Sequence, residues 1–90
     1  MSISATKVFF DGAMMWLELS DQRIIGVPII WFPRLYYATP QQRADLKISS
    51  DGIHWEGIDE DISIDGILAG HGDDTKWGME QRKQLEKVHA

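Results

Sequence analysis

Ninety residues with 43% apolar side chains, 26% charged ones and four tryptophans describe one small globular domain and exclude a disordered polymer. With no cysteine, the chain has no disulfide framework, no thiolate metal site and no thiol nucleophile. A net charge of −5 argues against a direct nucleic-acid binder, whose affinity rests on basic contacts to phosphate.

Lys7 to Phe10 and Met14 to Leu19 are rich in strand formers and flank Asp11-Gly12, two residues that tolerate the positive φ of a tight hairpin. Ser20-Asp21-Gln22 marks a second turn, and Arg23 to Ile29 a third strand that completes a meander. Alternation puts Met15, Leu17 and Leu19 on one face, and Met14, Trp16 and Glu18 on the other. Pro28 has no N–H to donate, so that end of the third strand is expected at an edge or leaving the sheet. Pro33 suits the first position of a short helix, and Thr39-Pro40 with Gln42 three residues on from Thr39 has the form of a capping box opening another. Leu46 to Ile48 and Ile53 to Trp55 form a second hairpin around Ser50-Asp51-Gly52. Ser63 is placed to cap a short helix over 64–69, with Gly70 as its stop.

The fold class this predicts is α+β: a small antiparallel β meander with a second short hairpin and two or three short helices. Residues 1–70 make the single compact domain. Residues 71–90 are a polar tail, helical or frayed, joined through Gly70 to Asp74 and carrying an incomplete apolar stripe of Trp77, Leu85 and Val88. The first seven residues lack the pattern of a secretory signal, and no apolar run approaches the ~20 residues that span a bilayer, so a cytoplasmic location without membrane contact is expected.

The charge is unevenly placed. Residues 1–50 carry a net +1 and residues 76–90 a net +2, whereas residues 51–75 hold eight acidic side chains and neither Lys nor Arg. Seven of the eight, Glu56, Asp59, Glu60, Asp61, Asp65, Asp73 and Asp74, form the candidate partner-binding set, since a block of one sign steers oppositely charged partners. Read as a metal site, the segment lacks the alternating ligands, glycine and distal glutamate of a calcium loop. His54, His71 and His89 have no ligand spacing, and no serine sits in a nucleophile elbow, so no catalytic residue, metal or cofactor is assigned. His54, inside a β run, reads as a hydrogen-bonded structural histidine. Trp31 and Trp55 read as structural, and Arg34 as the cation of an internal ion pair with the acidic run at Asp59 to Asp61.

The succession Val27-Pro28-Ile29-Ile30-Trp31-Phe32-Pro33-Arg34-Leu35, then Ile53-His54-Trp55, then Ile58-Asp59-Glu60-Asp61-Ile62-Ser63-Ile64 resembles the domain of unknown function family 2442 over roughly residues 8–70. The resemblance implies a compact α+β fold that opens with a β meander, and it supplies no active site. Glu56 stands where many relatives carry proline. Some relatives append a helix-turn-helix domain and others are encoded beside small toxin-like proteins, which implies an antitoxin-like role; the tail after Gly70 is too short for such a DNA-binding domain. The expected function is therefore that of a non-enzymatic inhibitor or antitoxin-like module whose acidic face meets a protein partner with a basic surface, a toxin or a nucleic-acid-processing complex. In its phage-borne, anti-CRISPR variant the same face imitates nucleic-acid phosphates. The alternatives are a small metal-dependent enzyme using His54 with Asp59 or Asp61, and a structural domain that dimerises through the aromatic segment from Trp31 to Tyr37; either a monomer or a homodimer fits the sequence.

Overall fold

The computed structural model describes residues 3–72 and 75–89, with side chains to residue 87. Asp73, Asp74 and the side chains of Val88 and His89 lie outside the described residues.

Strands β1 (Ala5–Asp11), β2 (Met14–Leu19) and β3 (Ile24–Pro28) form an antiparallel meander in the order β1-β2-β3. Asp11 faces Met14 across a turn in which Gly12 takes φ 59°, the left-handed conformation that the Asp-Gly pair was chosen to provide. The period-2 pattern holds through β2: Met15, Leu17 and Leu19 are buried, while Met14, Trp16 and Glu18 are half-covered on the outer face. β3 ends at Pro28 on an edge of the sheet, where a missing N–H breaks no ladder.

The chain then turns through Ile29–Trp31 into two short helices, α1 (Pro33–Tyr36) and α2 (Pro40–Ala44). The capping box at Thr39 is complete: its hydroxyl accepts from the Gln42 N–H at 3.1 Å, and the Gln42 side chain accepts from the Thr39 N–H at 2.8 Å. Arg43 fastens the two helices together, donating from Nε to the Leu35 carbonyl at 2.8 Å and from Nη2 to the Tyr36 carbonyl at 3.0 Å. These carbonyls close a helix of four residues, where no further helical turn donates to them; Leu35 also accepts from the Ala38 N–H at 3.2 Å.

A second antiparallel sheet follows, in the order β4 (Lys47–Ile48), β5 (Gly52–Trp55) and β6 (Glu60–Ser63). β6 is an addition to the sequence reading, which had only the β4–β5 hairpin. Between β5 and β6 the chain makes one 3-10 turn over Glu56–Ile58 and passes through Asp59 in the left-handed region, φ 52° and ψ 48°, a conformation that aspartate tolerates better than most residues. Ser63 then caps α3 (Ile64–Leu68), its Oγ accepting from the Gly66 N–H at 2.9 Å, and Gly70 stops the helix at φ 82°.

Both sheets and α3 contribute to one core. Met15, Leu17, Leu35, Trp55 and Ile64 are withdrawn from solvent, and each is worth about 1.5–3 kcal/mol of burial. The Trp55 indole N–H donates to the Arg43 carbonyl at 2.9 Å, so the largest core side chain buries no unmet donor.

Residues 76–89 form α4 (Lys76–His89), a 14-residue helix packed against α1 and the turn before it. Leu85 is its buried apolar anchor. Two further contacts pair arginine with aromatic rings, Arg82 lying 4.6 Å from the Trp31 ring centre and Arg34 5.5 Å from that of Trp77, and the Tyr37 hydroxyl donates to Gln81 Oε1 at 3.3 Å. Among the described residues no helix is long and apolar enough to cross a membrane.

Candidate functional site

The register of β5 with β6 decides which acidic side chains reach solvent. Ile53 faces Ile62 and Trp55 faces Glu60 on the core side of the hairpin; His54 faces Asp61 on the outer side. Glu60 is accordingly only 7% exposed, and its place in the sequence-derived partner-binding set is corrected. Strand period, which a run of charges hides, turns it inward.

Glu56, Asp59, Asp61 and Asp65 are exposed. Asp61 projects from the middle of β6, an edge strand. Asp59 and Glu56 lie at its start, and Asp65 in the first turn of α3 at its end. The main-chain N–H of Ile64 donates to the Asp51 carbonyl at 3.0 Å, which brings a further exposed aspartate, in the β4–β5 turn, to that same end. At about 3.3 Å per residue the four-residue strand spans about 13 Å, so these charges lie within one or two Debye lengths of each other at physiological salt.

His54 is hydrogen-bonded, as a structural histidine was expected to be. Its Nδ1 lies 2.6 Å from Asp61 Oδ1 across the strands, in a position where about two-fifths of the histidine side chain and three-quarters of the aspartate side chain are open to water. Two serines border the same shallow groove, and both are engaged elsewhere. Ser49 donates to the Asp51 carboxylate and the Gly52 carbonyl, and Ser63 caps α3. Among the described residues no three His, Asp or Glu side chains converge as metal ligands.

Arg34 does reach the acidic segment, but its Nη1 donates to the main-chain carbonyl of Asp59 at 3.1 Å, while the Asp61 carboxylate is turned toward His54 on the outer side of the hairpin. In place of the ion pair expected with the run Asp59 to Asp61, Arg34 makes this carbonyl contact at Asp59 and stacks on Trp77. The αL turn at Asp59 presents that carbonyl, a backbone feature with no signature in side-chain charge. Trp31 is half-buried beneath Arg82, and Trp55 is fully buried. Sequence reasoning missed Asp51 as a neighbour of Asp65, since only the pairing of β6 with β5 brings the two together.

Two solved structures share this architecture. A protein of unknown function from Rhodospirillum rubrum superposes with a TM-score of 0.72 at 26% identity, covering 87% of this chain and 99% of its own. The solution structure of an uncharacterised protein from Chromobacterium violaceum gives 0.71 at 26% identity, covering 86% of this chain and 74% of its own. No curated protein matches the chain. The family model described as "Protein of unknown function (DUF2442)" matches residues 5–72, from the first strand of the meander to just beyond α3, and the chain belongs to that family.

Proposed function

We propose that this chain is a non-enzymatic protein-binding module of inhibitor or antitoxin-like kind, and that Glu56, Asp59, Asp61 and Asp65 engage a basic surface on its partner. The observation that carries the reading is the row of exposed carboxylates along β6 and its two flanking turns, in a segment without Lys or Arg from residue 51 to residue 75. In such a field the partner's charge complementarity raises the association rate and discriminates against acidic competitors more than it deepens the final complex. A toxin or a nucleic-acid-processing complex has the required basic surface, and in the second case the carboxylate row takes the place of phosphates. Binding ranks above catalysis because the His54–Asp61 pair faces open solvent, with the neighbouring hydroxyls held in a turn and a cap.

The test is affinity capture from host lysate with wild type and with the variant Glu56→Gln, Asp59→Asn, Asp61→Asn, Asp65→Asn, folding being verified by circular dichroism. Wild type is expected to retain a basic protein at low salt and to release it as salt rises, and the variant to retain none. Equal capture by both would refute the reading.

A further inference from the structure

A groove of about 390 Å³ lies between β1, α2 and the residue that leads into β4. That volume falls within the range of small-ligand sites, which begins at about 300 Å³. Val8 and Phe10 from β1, Pro40 and Ala44 from α2, and Leu46 make an apolar wall; Arg43 is its one charged member, and no carboxylate lines it. Val8, Phe10 and Leu46 rest on the core with part of their surface still open.

Arg43 is fixed in place at this wall. Its Nε and Nη2 donate to the Leu35 and Tyr36 carbonyls, and its guanidinium carbon lies 5.7 Å from the Phe10 ring centre. A guanidinium has five N–H donors, so these two bonds leave three, two on Nη1 and one on Nη2, without a partner among the described residues. Among the described residues no carboxylate lies within ion-pair distance of Arg43 either. Both of its acceptors are neutral, so a full positive charge stands at an apolar wall with donors to spare. A rigid fork of donors beside apolar surface is complementary to a carboxylate that carries an apolar body.

We propose that this groove binds a small apolar carboxylate, its anion at the free N–H groups of Arg43 and its body against Val8, Phe10 and Leu46. The site stands apart from the partner-binding reading of the acidic segment. All its residues lie within 1–50, where five Lys/Arg against four Asp/Glu leave a net +1, and an entering anion meets no like charge at the wall.

The probe is hydrocinnamate, titrated into the whole chain and followed through the amide resonances of Val8, Phe10, Ala44 and Leu46 and the Nε–H of Arg43. Hydrocinnamamide, which keeps the shape without the charge, and acetate, which keeps the charge without the ring, are the controls. Hydrocinnamate is expected to give saturable shifts with a Kd on the order of 0.1–1 mM, and each control to bind at least about tenfold more weakly. Arg43→Gln, its folding verified by circular dichroism, is expected to weaken probe binding about tenfold or more. Arg43 also joins α1 to α2, so, should the substitution disturb folding, wild type supplies an independent readout in intermolecular NOEs from the probe's ring to the Val8 and Leu46 methyls. Absent shifts and NOEs, either control binding as well as hydrocinnamate, or unchanged affinity in a folded Arg43→Gln protein would overturn the proposal.

Discussion

Trp16 and Gly26 face each other across β2 and β3, and the glycine is there because the indole lies over it. A methyl group at position 26 falls 2.6 to 2.9 Å from three carbons of the Trp16 ring. The ring sits on the half-covered outer face and can tilt away, so Gly26→Ala is expected to cost about 1–3 kcal/mol rather than to prevent folding, a loss that urea denaturation monitored by tryptophan fluorescence will measure. Asp21 shows a second local effect. The Arg23 main-chain N–H hydrogen-bonds its carboxylate, the Arg23 guanidinium adds a contact at 2.6 Å, and together they hold its pKa below the ordinary 3.8. A carboxyl with a depressed folded pKa stabilises the folded state above its unfolded value and loses that contribution as pH falls through the folded one. Asp21→Asn should therefore be less stable than wild type at neutral pH, with the difference closing below pH 3.8; parallel urea curves across that interval check the sign.

At the scale of elements, the meander was legible because each of its signals is local. Asp11-Gly12 sets the turn, alternation sets the faces, and Pro28 ends the last strand. The capping boundaries at Thr39, Ser63 and Gly70 were legible for the same reason. β6 was not, because Glu60-Asp61-Ile62-Ser63 has too little apolar alternation to announce a strand and becomes one by pairing with β5. That single omission also hid the inward turn of Glu60, which the run of charges groups with its exposed neighbours. The packing of α4 escaped for another reason: its stripe is broken, and Arg–aromatic stacking at Trp31 and Trp77 supplements Leu85, which a hydropathy pattern does not register. Leu85→Ala should cost about 2–4 kcal/mol of local stability and detach this helix before the sheets are affected. Hydrogen exchange is expected to quicken for amides along α4 while those of β2 keep their protection; equal acceleration in both would mean that α4 is part of the cooperative core.

For the whole molecule, the two sheets divide the labour. The meander and α1 carry much of the core, and the second sheet offers its acidic edge strand to solvent. Charges on an edge strand also discourage chain-to-chain pairing, so Asp61 fits a role in keeping copies apart as well as one in binding. What separates the two roles is the response to a basic partner. The most direct measurement is the association rate of wild type and of the four-carboxylate variant with the captured basic protein, by stopped flow over a series of salt concentrations. The wild-type rate is expected to fall steeply with ionic strength, the variant to associate more slowly and almost independently of salt, and the dissociation rates to differ much less between the two. Salt-independent association of wild type, or coincident curves for both proteins, would contradict that expectation.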